Sequence, residues 1–157
     1  MYNKIIALIF TIGILLSLSF KSEDYKTCNV EEALKACKRK LIPFSFQDRK
    51  TITFKYEADK QMNEYEVQLF NGERYRIVLN STYSPGVEFE IYDGKKTNKT
   101  RKLLYDSRKD KDEGDLLIYH PETIPYIYID VIIPSSKNQN QEGCATIMIG
   151  YELTFVD

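Results

Sequence analysis

The chain has no tryptophan and a single histidine, His120. One histidine is too few for a His-based metal set, and His120 has no orienting partner visible in the sequence, which argues against a Cys–His catalytic pair. No G-x-S-x-G elbow and no phosphate-cradling glycine loop occurs. An excess of positive charge is missing as well. Taking Lys4 in the leader from the 22 basic residues leaves 21 against 23 acidic ones, a net charge of -2. Nucleic-acid binding needs a basic footprint, so that partner class is excluded. No internal repeat and no low-complexity segment is present. The one long apolar run, Ile5 to Leu18, is shorter than the ~20 residues a spanning helix needs.

That run is informative in its own right. Lys4 precedes it, Thr11, Gly13 and Ser17 interrupt it, and Ser17 and Ser19 follow at the spacing of a cleavage site. This is the pattern of a signal peptide over residues 1–20. A polar linker, 21–27, and a single domain, 28–157, come after it. About 137 residues remain, enough for one real core. The expectation is a secreted protein, extracellular or periplasmic, with no stable membrane span once the signal is removed.

The stretch from Asn63 to Asp93 organises the domain. Three runs alternate with period two: Tyr65/Val67/Leu69, Tyr75/Ile77/Leu79 and Val87/Phe89/Ile91. Each implies a strand with one buried and one wet face. Asn71-Gly72 accepts the positive φ of a tight turn, which predicts a three-stranded antiparallel meander. Upstream, Asn29 and Glu32 form a capping box ahead of Val30, Ala33, Leu34, Cys37 and Leu41, which share one helical face. Pro43 closes that helix, predicted over 29–41. Further short strands are expected around Phe44/Phe46, Ile52/Phe54/Tyr56, Leu103 to Tyr105, Leu116 to Tyr119, Ile127 to Ile133 and Ala145 to Leu153. About eight strands with turns between them indicate a mainly β, antiparallel jelly-roll-like sandwich with one N-terminal helix.

Three cysteines make one disulfide plus one thiol the default arithmetic in an exported chain. Cys28 and Cys37 lie ~13 Å apart along a helical path. A bridge needs Cα atoms within about 7 Å, so that pair is excluded. Cys37–Cys144 is the favoured pairing and Cys28–Cys144 the alternative. Cys144 has the opposite parity to Ala145/Ile147/Ile149. It points away from the interior with Thr146 and Met148, so a bridge there lays the helix across the outside of one sheet.

Two motifs bear a family resemblance. Gly72-Glu73-Arg74-Tyr75-Arg76-Ile77 followed by Phe89-Glu90-Ile91-Tyr92-Asp93 resembles the G-x-x-Y-x-I … L-Y-D rhythm of bacterial pre-peptidase C-terminal (PPC-like) domains. Tyr126 to Val131 resembles their later Y-x-[IL]-x-V strand. With Glu142-Gly143-Cys144-Ala145 opening the last strand, residues 28–154 are also similar to small secreted proteins of Bacteroidetes-type bacteria. The resemblance implies a jelly-roll-like sandwich without enzymatic activity of its own. The chain departs from the family where Pro85-Gly86-Val87-Glu88 replaces an Asp-x-Asp.

Candidate chemistry is sparse. Asp110, Asp112 and Asp115 give the loop 106–115 a calcium-loop look, against the plainer reading of an exposed charged loop. Positions 114, 115 and 121 break the full EF-hand pattern. No other cofactor is implied. Glu64, Glu66, Glu88 and Glu90 could pair for glycoside hydrolysis, but they alternate with apolar residues as a solvent face does. Tyr126, Tyr128 and Tyr119 could form a ligand-binding aromatic platform, or lie under the helix or a loop. Asn80 and Asn98 begin glycosylation sequons. The expected function is a non-catalytic module that binds an extracellular or envelope protein or glycan. A small carboxylate-dependent hydrolase and a structural calcium module are the alternatives.

Overall fold

A computed structural model describes residues 28–122 and 124–154, without the side chains of 111–113. The expected signal peptide and linker lie outside the described residues. The order of elements is helix α1 (Val30–Leu41), then β1 (Ser45–Lys55), β2 (Gln61–Gln68), β3 (Glu73–Asn80), β4 (Glu88–Tyr92) and β5 (Leu103–Asp106). A 3-10 turn (Ser107–Glu113), β6 (Leu116–Tyr119), β7 (Tyr126–Ile133) and β8 (Glu142–Leu153) complete it. The strands form two antiparallel four-stranded sheets, ordered β1-β8-β3-β6 and β2-β7-β4-β5. This is the double-sheet order of a jelly roll.

The strands of the expected meander are present with the expected inward residues, but they do not pair with one another. β2 pairs with β7, β3 with β8 and β6, and β4 with β7 and β5. Each connection crosses from one sheet to the other. Alternation fixes which face of a strand is buried and is silent about which strand lies beside it. Gly72 does take the positive φ its turn asks for (86°), in a crossover rather than a two-residue hairpin.

The core lies between the sheets. Val67, Phe89, Ile91, Ile127, Ile129, Val131 and Ile133 meet Tyr75, Ile77, Leu79, Leu117, Ala145, Ile147 and Ile149. The central strands β7 and β8 are buried on both faces, which suits the β-branched and aromatic run of β7 and the small and apolar residues from Gly143 to Gly150 of β8. The long edge strand β1 carries Asp48, Arg49 and Lys50 and a register shift between Phe46 and Asp48, features that block edge-to-edge pairing.

Helix α1 covers the outside of the β1-β8-β3-β6 sheet. Asn29 caps it, its side-chain oxygen accepting from Glu32 N at 3.1 Å. Cys37 and Leu41 pack on Val78 and Met148, with Leu34, Phe44 and Leu116 around them. At the C-terminal end Arg76 donates to the carbonyls of Lys40 (3.0 Å) and Ile42 (2.7 Å). A Cβ on Gly150 would come within 2.7 Å of Leu41 Cδ1, so the glycine admits the helix.

The disulfide joins Cys28 to Cys144, with Cα atoms 5.6 Å apart, and Cys37 is a buried free thiol. The favoured Cys37–Cys144 pairing is therefore corrected. The reason is one of matched lengths. Helix α1 runs alongside β8, Cys28 meeting Cys144 and Leu41 meeting Gly150. Thirteen helical residues rise ~20 Å, and six strand residues rise about the same. Cys37 then stands ~13 Å along the helix from the bridge, level with Met148. The outward parity of Cys144 and the placement of the helix on the sheet exterior hold as expected.

Candidate binding face

The outer face of the β2-β7-β4-β5 sheet carries a connected network of charged groups. Asp130 is the one charged residue in the buried strand β7. Cross-strand register puts Glu64 beside it on β2 and Glu90 on its other side on β4, and Asp106 of β5 follows Glu90. One carboxylate per strand thus runs in a line across all four strands. Like charges directly opposite destabilise a sheet, so the row needs cations.

Two arginines supply them. Arg101 reaches in from the loop between β4 and β5. It donates to Asp130 at 2.7 Å and to Glu64 at 3.2 Å, and its guanidinium lies 3.6 Å from the centre of the Tyr92 ring. Arg108 donates to both oxygens of Asp106, at 2.8 and 3.0 Å, and to Glu90, with Glu88 at 3.7 Å. Lys95 pairs with Glu66 at 3.1 Å and stands over the Tyr128 ring. Six carboxylates lie on this face (Glu64, Glu66, Glu88, Glu90, Asp106, Asp130), and Arg101, Arg108 and Lys95 pair with them.

The environments of the two aspartates of the row differ. The Arg108 guanidinium holds the Asp106 carboxyl below the usual aspartate value. Burial pushes Asp130 above it, with Arg101 working in the opposite direction. Asp130 is fully buried, yet its Oδ1 has no hydrogen-bond partner among the described residues. Burial and the bond from its hydroxyl to Glu90 (2.7 Å) push the Tyr92 phenol up to about 12.

The expected tyrosine platform is only partly assembled. Tyr126 and Tyr128 share this outer face, Tyr126 being 40% exposed and Tyr128 covered by Lys95. Tyr119 does not join them. It belongs to β6 of the other sheet and packs on Tyr105, ring centres 5.1 Å apart. The helix covers none of the three: Tyr126 and Tyr128 belong to the other sheet, and Tyr119, on the helix's own sheet, packs inward against the core opposite Ile77. The loop 94–102 is what lies over the tyrosine side of the face.

The calcium candidates separate. Asp110 lines a small recess with Leu103 to Asp106 and Lys109, whereas Asp115 lines a different cavity of about 310 Å³ with Glu88, Ser107 and Arg108. The Asp112 side chain lies outside the described residues. Among the described residues no three His, Cys, Asp or Glu side chains form a metal-ligand group. Glu64 and Glu66 sit under Arg101 and Lys95, and Glu90 under Arg108.

The two sequons differ in kind. Asn80 is 2% exposed, gives its amide to the Ala33 carbonyl of the helix at 3.2 Å and accepts from Thr82. Asn98 is exposed, with Thr100 bonding to its side-chain oxygen. Sequence reasoning missed Arg101, Arg108 and Asp130. A signal existed for Asp130: a lone charge in an otherwise apolar strand requires a buried partner. Comparison with protein-family models gives no match, and comparison with curated proteins gives none either.

Proposed function

We propose that this chain is an exported, non-catalytic binding module, secreted or held at the envelope, that engages a protein partner through the outer face of the β2-β7-β4-β5 sheet. The observation that carries the reading is the carboxylate row Glu64–Asp130–Glu90–Asp106 beside Tyr92, Tyr128 and Tyr126, on the sheet the helix leaves open. A row of carboxylates is the electrostatic complement of a basic protein segment that displaces the cations now paired with it. The Cys28–Cys144 bridge supports export. The strand rhythm resembling PPC-like domains, together with the sandwich, supports a module without chemistry of its own.

The test uses the folded protein immobilised and offered the secreted and envelope proteins of its source, with a glycan panel in parallel. Glu66→Lys reverses charge on this face, and Glu31→Lys does so on the exposed helix. Capture of one protein, lost with Glu66→Lys and kept with Glu31→Lys, supports the reading. Capture indifferent to Glu66→Lys overturns the face. Capture of glycans alone overturns the protein partner.

A further inference from the structure

The loop between β4 and β5 reads Lys95-Lys96-Thr97-Asn98-Lys99-Thr100-Arg101-Lys102 and holds no apolar side chain. Its neck is closed by Asp93, which accepts from Lys102 N at 2.7 Å and donates through its own N–H to the Lys102 carbonyl at 3.2 Å. What fastens it to the sheet is polar, ionic or cation–π, the last between Arg101 and Tyr92 and between Lys95 and Tyr128. Lys95 meets Glu66, Lys96 N donates to Glu64, and Arg101 meets Glu64 and Asp130. Residues 95–100 are exposed throughout. A strap without an apolar anchor gains little from burial, and its outer ion pairs are screened by salt. It can exchange with a competitor of the same chemistry.

What lies under it is a slot built for a planar cation. Asp130 forms the floor, Glu64 one wall, and the face of Tyr92 another. A guanidinium matches a carboxylate through two parallel bonds and stacks on an aromatic ring. Arg101 does not complete that match. It divides its fork, one Nη to Glu64 and the other to Asp130 Oδ2, and Asp130 Oδ1 stays buried and unpartnered among the described residues. An unpaired buried acceptor carries a desolvation cost that a second donor removes. The slot is thus filled but not saturated.

We propose that Asp130, Glu64 and Tyr92 form a guanidinium-recognition slot that Arg101 fills in cis, and that the 94–102 strap gives the slot up to an arginine of the protein partner. This rests on the reading of the face as a protein-binding surface. The partner presents an arginine within a basic segment, and its fork pairs with both oxygens of Asp130 while its plane lies on Tyr92. Lysine, a point charge without the fork, is discriminated against.

Chemical rescue tests the slot without any partner. Arg101→Ala vacates it. Methylguanidinium at matched ionic strength should raise the melting midpoint of that variant several degrees more than methylammonium does. The difference should vanish in the wild type and in Arg101→Ala/Asp130→Asn. Equal effects of the two cations on Arg101→Ala overturn the slot. The second arm measures peptides: Arg101→Ala should bind Gly-Arg-Gly-Arg-Gly at least tenfold more tightly than the wild type, with no such gain for the lysine counterpart. No gain overturns the strap as occupant. If Arg101→Ala fails to fold even with methylguanidinium, Lys95→Ala loosens the strap and leaves the slot whole. The preference for the arginine peptide over the lysine peptide must then rise above that of the wild type, or the proposal falls. Rescue reads the slot and capture with Glu66→Lys reads the face, so the two failures are separate results.

Discussion

Ser84 and Cys144 exchange two hydrogen bonds across sixty residues of chain. Ser84 Oγ donates to the Cys144 carbonyl at 2.7 Å and accepts from Cys144 N at 2.6 Å, both groups buried. The ladder between β3 and β8 ends at Asn80 opposite Thr146, and the serine hydroxyl takes over as the strand partner two residues beyond, at Cys144. The Tyr56 hydroxyl pins the same loop through the Pro85 carbonyl at 3.0 Å. Ser84→Ala leaves a buried N–H and a buried C=O without this partner. The expected loss is about 2–3 kcal/mol, since each such orphan costs about 1–3 kcal/mol. Urea unfolding at neutral pH measures it, and a loss below about 0.5 kcal/mol, the range of ordinary surface substitutions, would show that the bonds are replaceable.

The bridge and the free thiol make opposite predictions. Cys28–Cys144 closes 116 residues of separation, for which the chain-entropy model gives up to about 4–5 kcal/mol. Cys28→Ser should lower stability by a value approaching that, while Cys37→Ala should cost about 1 kcal/mol as a small cavity. Burial pushes the Cys37 thiol up to about 11, with Asn80 drawing it the other way. The raised value favours the protonated thiol in the folded state. That contribution is present below the ordinary cysteine range and is lost as pH climbs toward 11. Iodoacetamide at pH 8 should therefore leave Cys37 unmodified in the native protein and label it after denaturation. Native labelling at the denatured rate would contradict the helix packing.

Much of this was legible in advance because period and capping are local. Asn29 and Glu32 marked the helix start, and Val67, Ile77, Phe89 and Ile129 were placed inward by alternation alone. The pairing of β2 with β7 and of β3 with β8 was not legible, since a strand's inward face says nothing of its lateral neighbour. The bridge was misread because the capped helix fixed the spacing of Cys28 and Cys37 but not which of them lay over Cys144. The carboxylate row was invisible for a related reason. Glu64, Asp130 and Glu90 are far apart in sequence and become neighbours only through the crossed pairing of β2 and β4 with β7, to which the β4–β5 pair adds Asp106. Arg101 and Arg108 sat in loops that read as merely solvated.

The two sequons respond to burial. Made in a secretory pathway that attaches N-glycans, the folded product should carry a glycan at Asn98 and none at Asn80, because Asn80 has given its amide to Ala33 under the helix. Peptide mapping after glycosidase treatment reads both sites. A folded product glycosylated at Asn80 would contradict the docking of α1. Asn80→Ala should also destabilise by about 1–3 kcal/mol, because it removes the bond to Ala33 and takes the acceptor from Thr82 N.

Asp130 and Asp106 should respond to acid with opposite signs. Burial holds the folded-state pKa of Asp130 above that of a free aspartate, and Arg108 holds that of Asp106 below it. As pH falls, the native state takes up a proton at Asp130 before the unfolded chain does, so the contribution of Asp130 to stability rises through that window. At Asp106 the unfolded chain protonates first. Its contribution is present above the free-aspartate value and is lost as pH falls through the lowered folded value. Wild type, Asp130→Asn and Asp106→Asn should be unfolded in urea at neutral pH and again at about pH 4, near the free-aspartate value. The stability of the wild type relative to Asp130→Asn should increase on acidification, and relative to Asp106→Asn it should decrease, with urea slopes unchanged. Parallel pH profiles for the two variants would mean that burial at Asp130 and the Arg108 pair at Asp106 do not set the two aspartates apart. The slot under Arg101 would then lose the burial that distinguishes Asp130 from an ordinary surface aspartate.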